Sequence, residues 1–458
     1  MMKIDKLILP IVSGLLLGLA YPPFNFGFLA WVAFIPLFYS TSKEKKISQK
    51  LLFAFIACLV SNLIILNWMG LNSGTSVVIS IISYLALSLY LTVFWMAFII
   101  SIHFIPKKME LILIPFSWIF FVEFLRNIGP LAGPWMNLSL TQSGYIRIIQ
   151  LASIETHTIS FFVILFNLIL YKYFVDKKTV FLKYFILMLF SILLFGSYNV
   201  NHQNNRLIET SVNISIGQPS IFPDEKWNPN LRLRNLAIMD SLLTKSLEDD
   251  ADVIVWPEVA ITSFLANNAY DRIRYQEKLS DTYLITGIPE RKYIDDKNKS
   301  FNSSIILKPD GSFDTYQKIF LVPFAEYVPF FKSWINKMNQ FDDIGSFTPG
   351  SDYKVFDIKD FKASILICYD SSSPQIVKNM VNNGAEILFI ITNDSYVGQF
   401  MPYQHFELAR LRAVEQRIPV IQSANTGISG IILPSGKVVY SSKLNERTVF
   451  TTKVPIYE

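Results

Sequence analysis

A carboxylate, an ammonium and a thiol each stand just after a short strand-like run in the second half of this 458-residue chain. Glu258 follows Val253-Ile254-Val255 within Trp256-Pro257-Glu258, Lys318 follows Asp314 to Gln317, and Cys368 follows Ser364 to Ile367 and precedes Tyr369-Asp370. A thiol is a poor nucleophile until it loses its proton, and a neighbouring carboxylate can remove that proton as general base. Glu258 is placed to do this for Cys368, and afterwards to return the proton to a leaving oxygen or take one from an attacking amine. An ammonium from Lys318 and a backbone N–H near Tyr369 would hold the oxyanion of a tetrahedral intermediate, where losing one donor typically costs about 3 kcal/mol. The three residue types together point to acyl transfer through a thioester.

Other chemistries fit less well. None of the four histidines, His103, His157, His202 and His405, has a neighbour at metal-ligand spacing, and neither a nucleophile-elbow serine nor a phosphate-binding glycine loop is present. No metal and no cofactor are expected. His405, within Tyr403-Gln404-His405-Phe406-Glu407, reads as a satisfied structural histidine, with support of the site from a helix as the alternative. Only two cysteines occur, Cys58 in an apolar segment and Cys368, so Cys58 reads as a small core residue and no disulfide is expected.

The elements around these residues alternate short β-branched runs with amphipathic helices, as in an α/β layered domain with strands buried on both faces. Strands are expected at Val212 to Ile216, Val253 to Val255, Tyr283 to Ile285, Ser304 to Leu307, Ser364 to Ile367 and Ile387 to Ile391. Helices are expected from about Pro229 to Leu247, from Pro374 to Asn382 closed by Gly384, and from Gln404 to Gln416. Lys308-Pro309-Asp310-Gly311 and Pro434-Ser435-Gly436-Lys437 read as hairpin turns. Open α/β sheets place their sites beyond strand ends, where all three reactive residues fall.

The first two hundred residues are different. The chain is 51% hydrophobic and 15% aromatic, and the excess lies there. A hydrocarbon core needs about 20 apolar helical residues to cross, and spans are expected near residues 7–23, 26–41, 51–68, 76–104, 109–125, 157–174 and 181–198. Tyr21-Pro22-Pro23-Phe24-Asn25 breaks the first pair. Lysines at 3, 6, 43, 45, 46, 50, 107, 108, 172, 177, 178 and 183 mark alternate connections, so the N-terminus is expected in the cytoplasm and the region from about residue 203 outside. No cleavable signal peptide is expected. The net charge of +5 reflects these lysines and suits an anionic leaflet rather than nucleic acid. The division is thus 1–202, a transmembrane helical domain, and 203–458, an extracytoplasmic catalytic domain.

Trp256-Pro257-Glu258, Lys318 ahead of Leu321-Val322-Pro323-Phe324-Ala325-Glu326-Tyr327-Val328-Pro329, and Cys368-Tyr369-Asp370 resemble the Glu-Lys-Cys triad of the nitrilase superfamily. With Ala20-Tyr21-Pro22-Pro23-Phe24 and Gly133-Pro134-Trp135, the chain is similar over nearly its whole length to the apolipoprotein N-acyltransferase family. Gln218-Pro219, Lys226-Trp227, Asn302-Ser303, Thr392-Asn393-Asp394, Gln404-His405 and Asn425-Thr426-Gly427-Ile428 extend the likeness. The resemblance implies an α-β-β-α sandwich behind the membrane domain in the bacterial inner membrane. It implies transfer of an acyl chain from a phospholipid, phosphatidylethanolamine being expected, to Cys368 and then to the α-amine of diacylglyceryl-cysteine on an apolipoprotein. It also implies that Glu326 orients Lys318 or the intermediate, that Tyr369 and Asp370 support Cys368, and that Trp227 helps to bind a substrate. A monomer is expected.

Four departures from the family pattern stand out: Asp370 where glutamate is usual, Tyr396-Val397 in place of an aromatic pair, Glu155 and His157 in a stretch of small residues, and no eighth span before Tyr457-Glu458. Aromatic loops from Phe320 to Phe331 and Trp334 to Phe347 read equally as interfacial lids or as buried packing. The nearest competing reading is a membrane-tethered nitrilase-type amidase, with water resolving the thioester. A transporter or scaffold is the other, and it expects ionisable residues in the spans, for which Glu123, Glu155 and His157 are the candidates.

Overall fold

A computed structural model describes residues 6–330 and 347–457, which form two units. One comprises the described residues up to Asn204 together with Val397–Glu415; the other comprises Asn205–Tyr396 and Gln416 onward.

The first unit is helical. Helices α1 (Ile8–Ala20), α2 (Ile35–Lys43), α3 (Ile47–Ile65), α4 (Val77–Phe104), α5 (Glu110–Trp118), α6 (Thr158–Asp176) and α7 (Thr179–Asn204) follow in order. Of these, α3, α4, α6 and α7 are each long and apolar enough to cross a membrane. Val77, Val78, Ile82 and Phe104 on α4 and Leu187, Phe190 and Leu194 on α7 are exposed, an apolar surface suited to lipid and not to water. The unit is a membrane-embedded body.

The three remaining apolar segments do not form single long helices as expected. After α1 the chain turns through a 3₁₀ segment, Gly27–Trp31, before α2. The segment expected at 109–125 holds Pro115 inside α5 and runs on as a π turn over Ile119–Phe124. Broken backbone in an apolar medium must find partners within the protein. Asn167 on α6 supplies two, accepting from Phe34 N at 2.8 Å and donating to Ala30 O at 2.8 Å. Gln142 donates to Gly27 O at 2.8 Å and accepts from Trp31 Nε1 at 2.8 Å. Small residues bring α1 onto α3: a Cβ on Gly14 would lie 2.5 Å from Ala57 O. Cys58, fully buried on α3, accepts from Asn62 as a core residue would.

The second unit contains two six-stranded sheets. The first, in order β12-β1-β2-β3-β4-β5, holds β1 (Ile208–Gln218), β2 (Val253–Val255), β3 (Tyr283–Ile294), β4 (Lys297–Leu307), β5 (Phe313–Gln317) and β12 (Thr448–Tyr457). The second, β11-β10-β9-β8-β7-β6, holds β6 (Phe356–Ile358), β7 (Phe361–Ile367), β8 (Ile387–Thr392), β9 (Val420–Ala424), β10 (Gly430–Ile432) and β11 (Val438–Ser441). The centres are parallel, β1-β2-β3 in one and β7-β8-β9 in the other, and β2, β8 and β9 are buried on both faces. The sheets face one another, with Ser423 on β9 donating to Val255 O on β2 at 3.2 Å.

Beyond the single-turn helix α8 (Pro223–Lys226), helices α9 (Arg232–Glu248) and α10 (Ala269–Leu279) cover the outer face of the first sheet, packing Met239, Leu242, Leu243 and Tyr275 against Ile254, Trp256, Leu284 and Ile305. Helix α11 (Pro374–Asn382) packs on β7. This is the α-β-β-α sandwich the resemblance implies. Asp314 to Gln317, expected as the strand-like run before Lys318, forms β5, whereas β6, β9 to β12 and helix α10 add to the expected elements; β6, β10 and β11 run only three or four residues, too short for a period to register. Gly311 at φ +82° and Gly436 at φ +81° sit in the two expected hairpin turns.

Helix α12 (Phe400–Gln416) starts four residues before the expected Gln404 and, through residue 415, groups with the membrane helices. There Gln404 accepts from Trp135 Nε1 at 2.7 Å and Trp68 Nε1 at 3.2 Å and donates to Ile65 O at 2.9 Å. His405 is fully buried, its ring 5.3 Å from that of Trp135, which accords with the structural reading.

Replacing Asn167 by alanine removes both partners from the break between α1 and α2. Thermal unfolding in detergent should show a loss of about 1–3 kcal/mol. An unchanged melting curve would show that the break is held by other contacts.

Candidate active site

The end of β2 presents Glu258. Trp256 is fully buried, donates its backbone N–H to Ile285 O at 2.8 Å and packs edge-on against Tyr275, which anchors the chain just before Pro257. Strand β3 passes so close that a Cβ on Gly287 would sit 2.5 Å from Glu258 Cα. Only glycine lets β3 run beneath this turn.

Glu258 is 6% exposed. Its Oε1 accepts from Asn302 Nδ2 at 2.7 Å and lies 3.4 Å from Lys318 Nζ, and its Oε2 accepts from Asn393 N at 2.9 Å. Lys318, 1% exposed, follows β5 and donates its backbone N–H to Asn302 O at 2.9 Å. Its ammonium bonds Glu326 at 2.9 Å, and Glu326 also accepts from Asn302 Nδ2 at 2.8 Å and from Val322 N at 2.8 Å. Two carboxylates thus share one ammonium and one amide. Burial works against the Lys318 charge, but Glu326 and Glu258 overcome it and hold its pKa well above the ordinary lysine value. Lys318 is a fixed cation.

Cys368 opens a tight turn, Cys368–Ser372, directly after β7, at φ +48°. A left-handed φ on a non-glycine residue stores strain, as catalytic turns often do. Burial pushes the thiol's pKa well above its usual value; the Glu258 carboxylate adds to this and Lys318 opposes it. The resting sulfur therefore keeps its proton, so any attack by it would require a base such as the nearby carboxylate.

Asp370 joins these parts. It is fully buried and accepts from Tyr316 Oη at 2.8 Å, Phe320 N at 2.7 Å, Ile319 N at 3.2 Å and Ile367 N at 3.2 Å. The shorter acid thus grips the backbone after Lys318 and the strand before Cys368 at once. Burial raises its pKa to about 6, against the charge of Lys318 and the donors around it. Tyr369 stacks on Phe320 with centroids 4.7 Å apart. Trp227 is half exposed and donates Nε1 to Tyr396 Oη at 2.8 Å, so the tyrosine at the departing position contacts the expected substrate-binding tryptophan. Of the aromatic loops, Phe324 and Phe330 are exposed, while Trp334 to Ser346 lie outside the described residues.

Glu258 and Glu326 are each brought into contact with Lys318, and Cys368 lies within the electrostatic reach of Glu258 and Lys318. The sequence reading did not assign roles to Asn302 and Asn393. Their signal was limited to the motifs Asn302-Ser303 and Thr392-Asn393-Asp394, because an amide has no reactivity of its own to mark it.

Residues 214–457 match the family model for Carbon-nitrogen hydrolase. The chain belongs to the carbon-nitrogen hydrolase family. Residues 13–169 match a second model, the Apolipoprotein N-acyltransferase N-terminal domain. The chain is 28% identical to the apolipoprotein N-acyltransferase of Geobacter metallireducens, covering 98% of this chain and 89% of that one. It is 27% identical to that of Chlorobaculum tepidum, covering 98% and 90%. Among solved structures it is similar to an amidase from Nesterenkonia sp., at 18% identity and a TM-score of 0.39, over 55% of this chain and 93% of that one. With both matches in one chain, and with relatives named as N-acyltransferases along nearly all of it, the protein is an acyltransferase enzyme.

Two tests follow from the geometry. Asn302→Ala leaves Glu258 and Glu326 without their common donor, and acyl-enzyme formation read by intact-protein mass spectrometry should slow by roughly 10- to 100-fold. For Asp370, a folded pKa raised above the unfolded value of 3.8 means stability fully present below 3.8 and lost as pH rises through about 6. Compared with Asp370→Asn by thermal melting, the wild type should lose about 3 kcal/mol between pH 4 and pH 7. A difference independent of pH would show that Asp370 does not titrate in this window.

Proposed function

We propose that the enzyme is an apolipoprotein N-acyltransferase that moves an acyl chain from a membrane phospholipid, through a thioester on Cys368, to the N-terminal α-amine of a diacylglyceryl-cysteine apolipoprotein. The observation that carries this reading is the buried cluster of Glu258, Lys318, Glu326 and Asn302 beside the strained Cys368 turn, in a chain that also bears a membrane-embedded unit.

Cys368 Sγ attacks the donor's ester carbonyl as Glu258 takes the thiol proton. The tetrahedral oxyanion is held by Lys318 and a backbone N–H near Tyr369. Collapse breaks the ester C–O bond, and Glu258 protonates the departing alkoxide, which leaves as lysophospholipid. The acceptor amine then attacks the thioester, giving up a proton to Glu258. Collapse breaks the C–S bond, forms the amide and returns the proton to sulfur. One carboxylate acts alternately as base and acid, and Glu326 keeps Lys318 in place through both steps.

Both substrates are lipids, so a site on a water-soluble fold needs a membrane-embedded partner in the same chain. The functional division is residues 1–202 for the helical domain and 203–458 for the catalytic domain. The alternating lysines support a cytoplasmic N-terminus, seven crossings in the bacterial inner membrane and an external catalytic domain. Phosphatidylethanolamine is the proposed donor and a monomer the proposed working form.

Purified enzyme incubated with acyl-labelled phosphatidylethanolamine should carry label on Cys368, and a diacylated lipopeptide should remove it as an amide-linked product. Cys368→Ala should carry none. Label lost to buffer as fast without peptide as with it would show a hydrolase instead.

A further inference from the structure

A cavity of about 570 Å³ is bounded by α8, α9, α10 and the stretch Ala260 to Ser263, which begins two residues after Glu258. Three of its wall residues each bury a polar atom that has no hydrogen-bond partner among the described residues: Lys226 Nζ, Asn235 Oδ1 and Tyr275 Oη. Lys226 is 7% exposed. An ammonium taken from water and left without a partner is costly, and a folded chain keeps such a group where a ligand completes it. Arg232 stands exposed at the rim, Trp227 and Tyr270 supply exposed aromatic faces, and Arg274 is paired with Asp240.

We propose that Lys226 is the centre of an anion subsite that takes the phosphodiester of the acyl donor, with Trp227 and Tyr270 packing against the rest of the headgroup. This rests on the phospholipid-donor reading above. In a glycerophospholipid the phosphate and the scissile ester share one glycerol, so a donor whose carbonyl reaches Cys368 must place its phosphate close by. Lys226 meets that need: Ile221 of the same cavity wall accepts from Asn425 Nδ2 at 2.7 Å, Asn425 also donates to Asn393 Oδ1 at 3.0 Å, and Asn393 N donates to Glu258 at 2.9 Å. The Trp227 indole is tied to Tyr396, which also feels Glu258. Burial pushes the Lys226 pKa down to about 8, so the amine still carries its proton at neutral pH. The acceptor lipopeptide has no phosphate at its diacylglyceryl group, so the subsite distinguishes the two lipids that must use one sulfur in turn.

The test uses the full chain in mixed micelles, reading acylation of Cys368 by mass spectrometry from phosphatidylethanolamine and from a short p-nitrophenyl ester that lacks phosphate. Lys226→Met should lower kcat/KM for the phospholipid roughly 10- to 100-fold, mainly through KM, while the ester changes by no more than about threefold, and Lys226→Arg should recover most of the loss. Glycerophosphoethanolamine should compete in the wild type and not in Lys226→Met. Equal losses on both esters would make Lys226 a part of the core or of the chemistry and overturn the subsite; so would no loss on either. Competition by inorganic phosphate but not by glycerophosphoethanolamine would assign the cavity to free phosphate and overturn the headgroup reading. A wild type acylated by the phosphate-free ester and by no phospholipid would instead sink the donor reading itself.

Discussion

The catalytic unit is organised around one buried cation. Lys318 is withdrawn from water almost completely, and a charge in that position destabilises the fold unless partners surround it. Glu258 and Glu326 supply the opposite charge, and Asn302 ties both carboxylates together through one amide nitrogen. Much else follows from keeping that cluster intact. Gly287 is needed so that β3 can approach the turn carrying Glu258, and Asp370 holds the backbone beyond Lys318 against the strand leading to Cys368. The cluster contains more negative than positive charge. Burial first, and the Glu258 carboxylate after it, hold the Cys368 thiol's pKa well above its usual value.

The membrane-embedded unit answers a similar problem with neutral groups. Its chain breaks between α1 and α2 and again through the largely buried stretch from Pro134 to Ser143, and each break frees backbone groups in an apolar surrounding. Asn167, Gln142 and Gln404 answer with amides that donate and accept at once. Glu123, fully buried, meets His157 Nδ1 at 2.7 Å and Leu138 N at 2.9 Å. The ionisable residues that a transporter reading would seize upon thus have partners in the packing.

Much of the architecture was legible along the chain. The parallel centres of both sheets are runs such as Val253 to Val255 and Ile387 to Ile391, whose apolar character reflects burial on both faces. Segments α3, α4, α6 and α7 are long enough for composition alone to reveal them. The edge strands β6, β10 and β11 are too short to carry a period, and β12 pairs with β1 across more than two hundred residues, a relation that local pattern does not contain. The segment near residues 109–125 read as one span because Pro115 is tolerated once a π turn absorbs the mismatch.

By itself the sequence determined which groups are the candidates for reaction. Glu258, Lys318 and Cys368 are chemically distinctive, each follows a strand, and a thiol beside a carboxylate and an ammonium admits few reactions. Tertiary structure alone decided the surroundings of these groups: which amide bridges two acids, that Asp370 reaches backbone on both sides of the site, and that Lys226 is buried in the cavity wall with no hydrogen-bond partner for its Nζ among the described residues. The physical reason is range. Reactivity belongs to a side chain and its immediate neighbours, whereas desolvation and hydrogen-bond completion depend on everything within a few ångströms, and folding gathers those surroundings from strands far apart in the chain.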